Sequence, residues 1–428
     1  MKTVFCDVAV IGSGPGGLAS AIAAKQNGAK ELLLIERDRE PGGILLQCIH
    51  NGFGVEIFKQ DLPGPAYAQH FIREAQQAGV SMLLDTMVLE ISKDKRIIAS
   101  SKTNGMLAIQ AKAVILAMGC RERTRAQVRL PGSRPAGVYT AGTAQRWVNV
   151  EGFMPGKKFV ILGSGDIGMI MARRLTFEGA KVERVLEIMP YLSGLMRNYV
   201  QCLQDFDIPL QMQHTIKRII GNERVEAVET VAVDDHWSEI PGSEETIECD
   251  TLLLSVGLIP ENELSQQVGI QLDPLTAGPF VDNHFQTSVE GFFAAGNVVH
   301  VYDLVDWVTS AGLQAGESAA RYASGKLCCD EKEIPVRHGQ NVHHVIPHFL
   351  DINSLKDGEK QLQMRVTKPL EQPVKVQVLD GTELIASRTL PYARPGEMVT
   401  IGLKEKHMEQ IKNATQLVVQ VIEKEGSK

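Results

Sequence analysis

The chain has 428 residues, 44% of them hydrophobic, and a net charge of −7, enough apolar material for two or three domains. The negative balance argues against a nucleic-acid binder, which needs a basic surface to neutralise phosphates, and no stretch is long and apolar enough to span a bilayer. Seven cysteines, odd in number and scattered, read as reduced thiols rather than a disulfide framework; Met1 to Asp7 lead straight into a strand and leave no room for a signal peptide, so a cytoplasmic protein is expected.

The first apolar strand, Val8 to Ile11, delivers the chain to Gly12-Ser13-Gly14-Pro15-Gly16-Gly17, and a helix is expected from Leu18 to Gln26. Gly12 allows the tight turn, Gly14 lets the backbone approach a pyrophosphate, and Gly17 lets the helix pack close to the sheet. A pyrophosphate there would face free N–H groups and the positive end of the helix. The next strand, Leu32 to Ile35, ends at Glu36, whose carboxylate can accept hydrogen bonds from a ribose. Further along, Ala113 to Met118 form a buried-strand pattern that ends in Gly119.

The arrangement then repeats. Phe159 to Leu162 lead into Gly163-Ser164-Gly165-Asp166-Ile167-Gly168, and the strand from Val182 ends at Glu187. Thr251 to Val256 end in Gly257, and Gly291 to Ala295 end in Gly296-Asn297; each terminal glycine would let the chain leave the sheet beside a cofactor. Two complete units describe a protein that holds two dinucleotides. The second lies far inside the chain, which suggests one nucleotide domain inserted in another. An α/β fold is therefore expected, with two Rossmann-like dinucleotide-binding domains: 1–125 with 278–330, and the inserted 126–277.

Beyond residue 330 the pattern changes. Leu362, Met364 and Val366 alternate with polar residues, as do Val374, Val376 and Val378; an Asp380-Gly381 turn and candidate strands from Met398 to Leu403 and Leu417 to Ile422 follow. Period-two alternation with a tight turn predicts a small C-terminal β-rich domain over 331–428. His338, His343, His344 and His348 crowd one stretch, but their spacing fits no common zinc pattern and Pro347 interrupts it; a polar linker and no metal site are expected.

Over roughly its first three quarters the chain resembles the two-dinucleotide-binding flavoproteins of the pyridine nucleotide-disulfide oxidoreductase superfamily. The resemblance implies FAD on the first loop, with Gly12, Gly14, Pro15, Gly17, Glu36, Arg37, Gly43, Val88, Gly119, Gly296 and Asn297 as its binding residues, Asn297 standing where most relatives have Asp. It implies NAD(P)H on the second, held by Gly163, Gly165, Asp166, Gly168, Glu187 and Gly257. Pro41 to Gly54 and Gly296 to Asp306 resemble more narrowly a subgroup often encoded beside a glycerol-3-phosphate dehydrogenase-like flavoprotein and a small Cys-containing protein. That subgroup is similar to the two-nucleotide subunits of opine, sarcosine and cyanide-forming oxidase complexes. By the same analogy a helix from near Ser310 through Ala320 would aim its N-terminus at the flavin.

FAD and NADH in one chain make hydride transfer the default chemistry. Glu187 is followed by Ile188-Met189-Pro190, with no Arg for a 2′-phosphate, so NAD(H) is favoured over NADP(H). The sequence has neither the Cys-x-x-Cys nor the Cys-x-x-x-x-Cys pair of the disulfide reductases, and the adjacent Cys328 and Cys329 are poorly placed for a disulfide. Arg121, Glu122 and Arg123 follow Gly119 and Cys120 and are read as partners of phosphates, as partners of one another at the domain junction, or as solvated charge. Three functions fit: an electron-transfer subunit of a dehydrogenase complex, partnered by a substrate-oxidising flavoprotein and a small Cys-containing or iron–sulfur protein; a stand-alone NADH oxidase or peroxidase using Cys48 as a low-pKa thiol supported by His50; or an FAD-binding redox-sensing module.

Overall fold

The computed structural model describes residues 2–327 and 333–424. Cys328 and Cys329 lie outside the described residues. The chain forms two units: Met1–Leu46, Asn51–Cys120 and Pro260–Lys428 make the first, Gln47–His50 and Arg121–Ile259 the second.

In the first unit, strands run parallel in the order Ser81–Leu83, Leu32–Ile35, Lys2–Ile11, Gly105–Leu116 and Phe292–Ala294. Val8, Ala9 and Val10 are all fully buried, as expected of a strand covered on both faces. Arg96–Ser101 and Thr86–Ile91 continue the sheet as an antiparallel meander from the first half of Gly105–Leu116. The helix Pro15–Gln26 is sunk into this unit and crosses Val305–Ala323 at backbone contact. That approach needs Gly312 and Gly316, because a Cβ on either would overlap a carbonyl oxygen, of Gly16 or of Ser20. The second helix starts at Val305, earlier than the expected Ser310. Asp306 in its first turn is buried and accepts hydrogen bonds from the Gly54 and Ile57 N–H groups at 3.2 and 3.0 Å.

The second unit carries its own parallel sheet, ordered Val138–Thr140, Thr251–Leu254, Lys158–Leu162, Lys181–Glu187, Leu210–Met212. One face packs on the helix Asp166–Phe177, the other on a three-stranded antiparallel sheet of His214–Gly221, Val225–Ala232 and Glu245–Glu248. This unit ends at Ile259 rather than at 277. The following helix, Glu263–Val268, belongs to the first unit, where Gln267 accepts the Ile91 N–H at 3.2 Å and Val268 and Ile270 join the core.

The C-terminal region is β-rich and has a separate core. Its two sheets are ordered Phe349–Asp351, Glu333–His338, Leu417–Glu423, Val374–Asp380, Glu383–Leu390 and Val342–Ile346, Lys360–Val366, Val399–Leu403. The histidine stretch is therefore not a linker: His338 ends one strand and His343 and His344 sit within another, because Val342, Val345 and Ile346 are buried there.

Candidate functional site

Each glycine loop is locked to the strand beside it by one clamp, used twice. Glu36 is buried, and its Oε2 accepts both the backbone N–H of Ser13 at 2.8 Å and the Ser13 hydroxyl at 2.6 Å; Oε1 accepts the Asp38 N–H at 2.9 Å. In the second unit Glu187 Oε2 accepts Ser164 N–H at 2.9 Å and the Ser164 hydroxyl at 2.5 Å, and Oε1 accepts the Met189 N–H at 2.9 Å. Serine and glutamate stand 23 residues apart in both copies. Charge-assisted bonds of this kind are the strong ones, so each acidic residue is a brace for the loop as well as a candidate ribose acceptor. Sequence reasoning missed the serines, although the Gly-Ser-Gly triplet occurs in both loops.

The glycines do what their spacing demands. Gly12 has φ +98° and its N–H bonds the Ile35 carbonyl at 2.8 Å; a Cβ would overlap the Ala117 carbonyl oxygen. Gly163 has φ +101° and would meet Ser255 in the same way, while a Cβ on Gly17 would strike the Gly12 carbonyl oxygen. Gly14, by contrast, faces open space, and the helix behind it has Pro15 in its first turn, no side-chain cap and no acid there. Bare N–H groups, an open approach and a clamped carboxylate fit a dinucleotide pyrophosphate and ribose. Gly43 lies over this loop, its hypothetical Cβ 2.9 Å from Gly14 Cα, and a Cβ on Gly16 would come 3.3 Å from the Ala295 carbonyl oxygen, so Gly43 and the Gly296–Asn297 turn gather at the same place. Asn297 has its amide oriented: Oδ1 accepts the Tyr302 N–H at 3.1 Å and Nδ2 donates to Cys120 Sγ at 3.5 Å. That half-buried thiol was not singled out from the sequence. Arg37 is exposed, Val88 is buried in the core of the Thr86–Ile91 strand, and Gly119 accepts the Glu261 N–H at 3.0 Å.

The second loop is dressed differently. Asp166 occupies the position of Pro15, and its Oδ1 accepts the Leu195 N–H at 2.8 Å and the Asn198 amide at 2.7 Å. Ser193 joins the clamp, donating its hydroxyl to Glu187 Oε2 at 2.8 Å and its N–H to the Ser164 hydroxyl at 3.0 Å. The Ser255 hydroxyl accepts the Gly168 N–H at 3.1 Å, so one orphan donor of the helix is already satisfied. Gly257 is exposed, with the Arg123 N–H on its carbonyl at 3.0 Å and the Arg123 side chain alongside. Glu122 is not solvated charge; it accepts the Gly142 N–H at 2.8 Å, and burial raises its pKa.

Cys48 sits in the short segment that groups with the second unit. Its thiol is buried, donates to Gln145 Oε1 at 3.7 Å, and is pushed up to about 12 by burial. Its surroundings are those of a protonated thiol and not of the thiolate that a peroxide route needs. Gln47 next to it donates to the Gly142 carbonyl at 2.9 Å and to Gln145 at 3.0 Å, which fixes the segment; His50 is half-buried.

Residues 6–315 match the family described as pyridine nucleotide-disulphide oxidoreductase. The chain belongs to that family. Its members are oxidoreductases that bind FAD and pyridine nucleotides. Among similar proteins, an opine oxidase subunit from Agrobacterium tumefaciens is 25% identical over 77% of this chain and 67% of its own length. Hydrogen cyanide synthase subunit HcnB of Pseudomonas protegens is 22% identical over 72% of this chain and 67% of its own. The chain thus spans about two thirds of these relatives. A solved thioredoxin reductase of T. acidophilum aligns with a TM-score of 0.61 and 22% identity, covering 75% of this chain and 99% of that one, so the two share the two-Rossmann fold. No helix among the described residues is long and apolar enough to cross a membrane.

Proposed function

We propose that the protein exchanges hydride between NAD(H) and an FAD held by its first loop, and works as the electron-transfer subunit of a dehydrogenase complex. The observation that carries this is the doubled clamp, Ser13–Glu36 and Ser164–Glu187, each bracing a glycine loop at a helix N-terminus. Bound FAD would supply the two-electron acceptor for hydride from the nicotinamide. In the first unit Gly12, Gly14, Pro15 and Gly17 shape the turn that leaves the helix N-terminus open to the pyrophosphate, Glu36 and Arg37 take the ribose end, and Gly43, Val88, Gly119, Gly296 and Asn297 line the remainder. In the second, Gly163, Gly165, Asp166, Gly168 and Gly257 shape the pyrophosphate turn. Glu187 sets the preference for NAD(H), since a 2′-phosphate brought beside that buried carboxylate meets like charge.

The similar proteins named as subunits of an opine oxidase and a cyanide synthase support a multi-subunit role. The partners proposed are a substrate-oxidising flavoprotein resembling glycerol-3-phosphate dehydrogenase and a small Cys-containing or iron–sulfur protein. An anaerobic titration of the FAD-loaded chain tests the reading: NADH should bleach the visible flavin band stoichiometrically. A band that NADH leaves unchanged defeats the hydride assignment. Rapid turnover of glycerol 3-phosphate by the chain alone defeats the division of labour.

A further inference from the structure

A row of three imidazoles runs inward from the surface of the first unit. His343, on the strand Val342–Ile346, is exposed; His344 is 9% exposed and His300 1%. His343 Nδ1 lies 2.9 Å from His344 Nδ1, and His344 Nε2 lies 3.3 Å from His300 Nδ1. The rings are steeply crossed, at 88° and 71°. At the inner end, His300 Nε2 and the Tyr302 hydroxyl are buried without a hydrogen-bond partner, their rings 4.0 Å apart. Unpartnered buried polar atoms are costly and call for an explanation. Their place supplies one: His300 and Tyr302 directly follow the Gly296–Val298 turn at the proposed FAD site, and the Tyr302 backbone N–H donates to Asn297 Oδ1 of that turn at 3.1 Å.

A neutral imidazole has one N–H donor and one bare acceptor nitrogen. The row therefore has two self-consistent states. In one, His343 donates to His344, His344 Nε2 donates to His300, and His300 Nε2 carries a proton. In the other every N–H points outward and His300 Nε2 is bare. We propose that His343, His344 and His300 form a proton relay between solvent and the redox site at Gly296–Tyr302. Loss of a proton from His300 Nε2 inward draws one from His344 Nε2 to His300 Nδ1, one from His343 Nδ1 to His344 Nδ1, and one from water to His343 Nε2. One proton enters, one leaves, and the net charge of the row is unchanged. Proton uptake or release accompanying hydride exchange runs the row in one direction or the other, so the inference rests on the FAD assignment above.

The surroundings suit neutral carriers. Burial, His344, Arg365 and His348 hold His300 well below its usual range, and burial with His343 and Arg365 takes His344 to about 3. Arg365 donates to the Val301 carbonyl at 3.1 Å and faces Asp303 at 3.8 Å; His348 is paired with Asp273 at 3.3 Å, outside the row.

Two measurements on the full chain test the relay. In ¹⁵N NMR of labelled histidines, His300 and His344 should stay neutral from about pH 5 to about pH 9 and share one tautomer, both protonated at Nε2 or both at Nδ1. In the FAD-loaded chain held reduced, the absorbance relaxation after a pH jump should slow by about tenfold or more in His344→Gln and His344→Ala, with FAD content unchanged. Gln keeps hydrogen bonds but cannot pass a proton, and added imidazole should restore the Ala variant alone. A His344→Gln protein that relaxes at the wild-type rate overturns the relay, as do opposite tautomers at His300 and His344. Failure of the wild-type chain to retain FAD would instead defeat the cofactor reading, and the NMR result would still decide the row.

Discussion

The two glycine loops share a skeleton and differ in covering. In both, a serine hydroxyl and N–H grip one carboxylate oxygen, and the first glycine presses against the carbonyl of a neighbouring strand. At the first loop the helix begins with Pro15 and open space at Gly14; at the second, Asp166 ties down the segment around Leu195 and Asn198, and Ser255 caps a helix N–H. The clamp follows from the strand–turn–helix geometry that suits a dinucleotide and is the same in both loops. What distinguishes the sites is the residue at the helix start and the segment laid over it.

The largest effects should come from the shared skeleton. In Gly12→Ala and Gly163→Ala the new Cβ meets a carbonyl oxygen in a left-handed backbone, at a cost of about 3 kcal/mol or more in each unit. Thermal melts should show a comparable loss for both, with flavin retention lost in Gly12→Ala and NADH bleaching lost in Gly163→Ala. Equal loss of flavin from both variants would break the assignment of one cofactor to each loop.

Removing the clamp hydroxyls sharpens the contrast. Ser13 Oγ makes one bond, to Glu36, whereas Ser164 Oγ donates to Glu187 and accepts from the Ser193 N–H. Ser13→Ala should destabilise by about 1–2 kcal/mol and Ser164→Ala by roughly 1 kcal/mol more, since it also orphans an N–H. Chemical denaturation read from separate probes in the two units checks the order.

How much of this lay open in the sequence depended on how local each contact is. Gly12, Gly163, Glu36 and Glu187 are legible because a fixed spacing expresses their geometry. Ser193 is not, since its partners Ser164 and Glu187 reach it through a loop whose path no periodicity records. The strand bearing His343 and His344 was hidden for another reason: its register with Lys360–Val366 shifts between Val342 and His344, which breaks the alternation that would have announced it. Cys48 lies near the glycine turn in sequence, yet its neighbours are Gln145 and the Gln47 segment of the other unit. Gly312 and Gly316 were passed over because a helix interior gives no hint of which face meets another backbone.

A smaller effect is expected at the ribose carboxylate. Glu187→Gln keeps the acceptor for Ser164 but removes the charge that disfavours a 2′-phosphate, so the ratio of NADH to NADPH affinity should fall by about tenfold. Glu36→Gln should leave that ratio alone. A change of the same size in both variants would mean that the loops do not divide the two nucleotides between them.

The smallest effect tests the covering itself. Asp166 Oδ1 holds the Leu195 N–H and the Asn198 amide, and no counterpart of that bracket exists where Pro15 stands. Asp166→Ala removes both bonds while leaving the Ser164–Glu187 clamp and the glycine contacts intact. The cost should be near 1 kcal/mol, confined to the second unit. Amide exchange should rise across Ser193–Asn198 and not across Gly42–Leu46, and NADH affinity should fall severalfold while flavin retention stays as it was. If exchange in Ser193–Asn198 does not change, the segment is held by the Ser193 bonds alone, and the two loops differ less than their first helical residues imply.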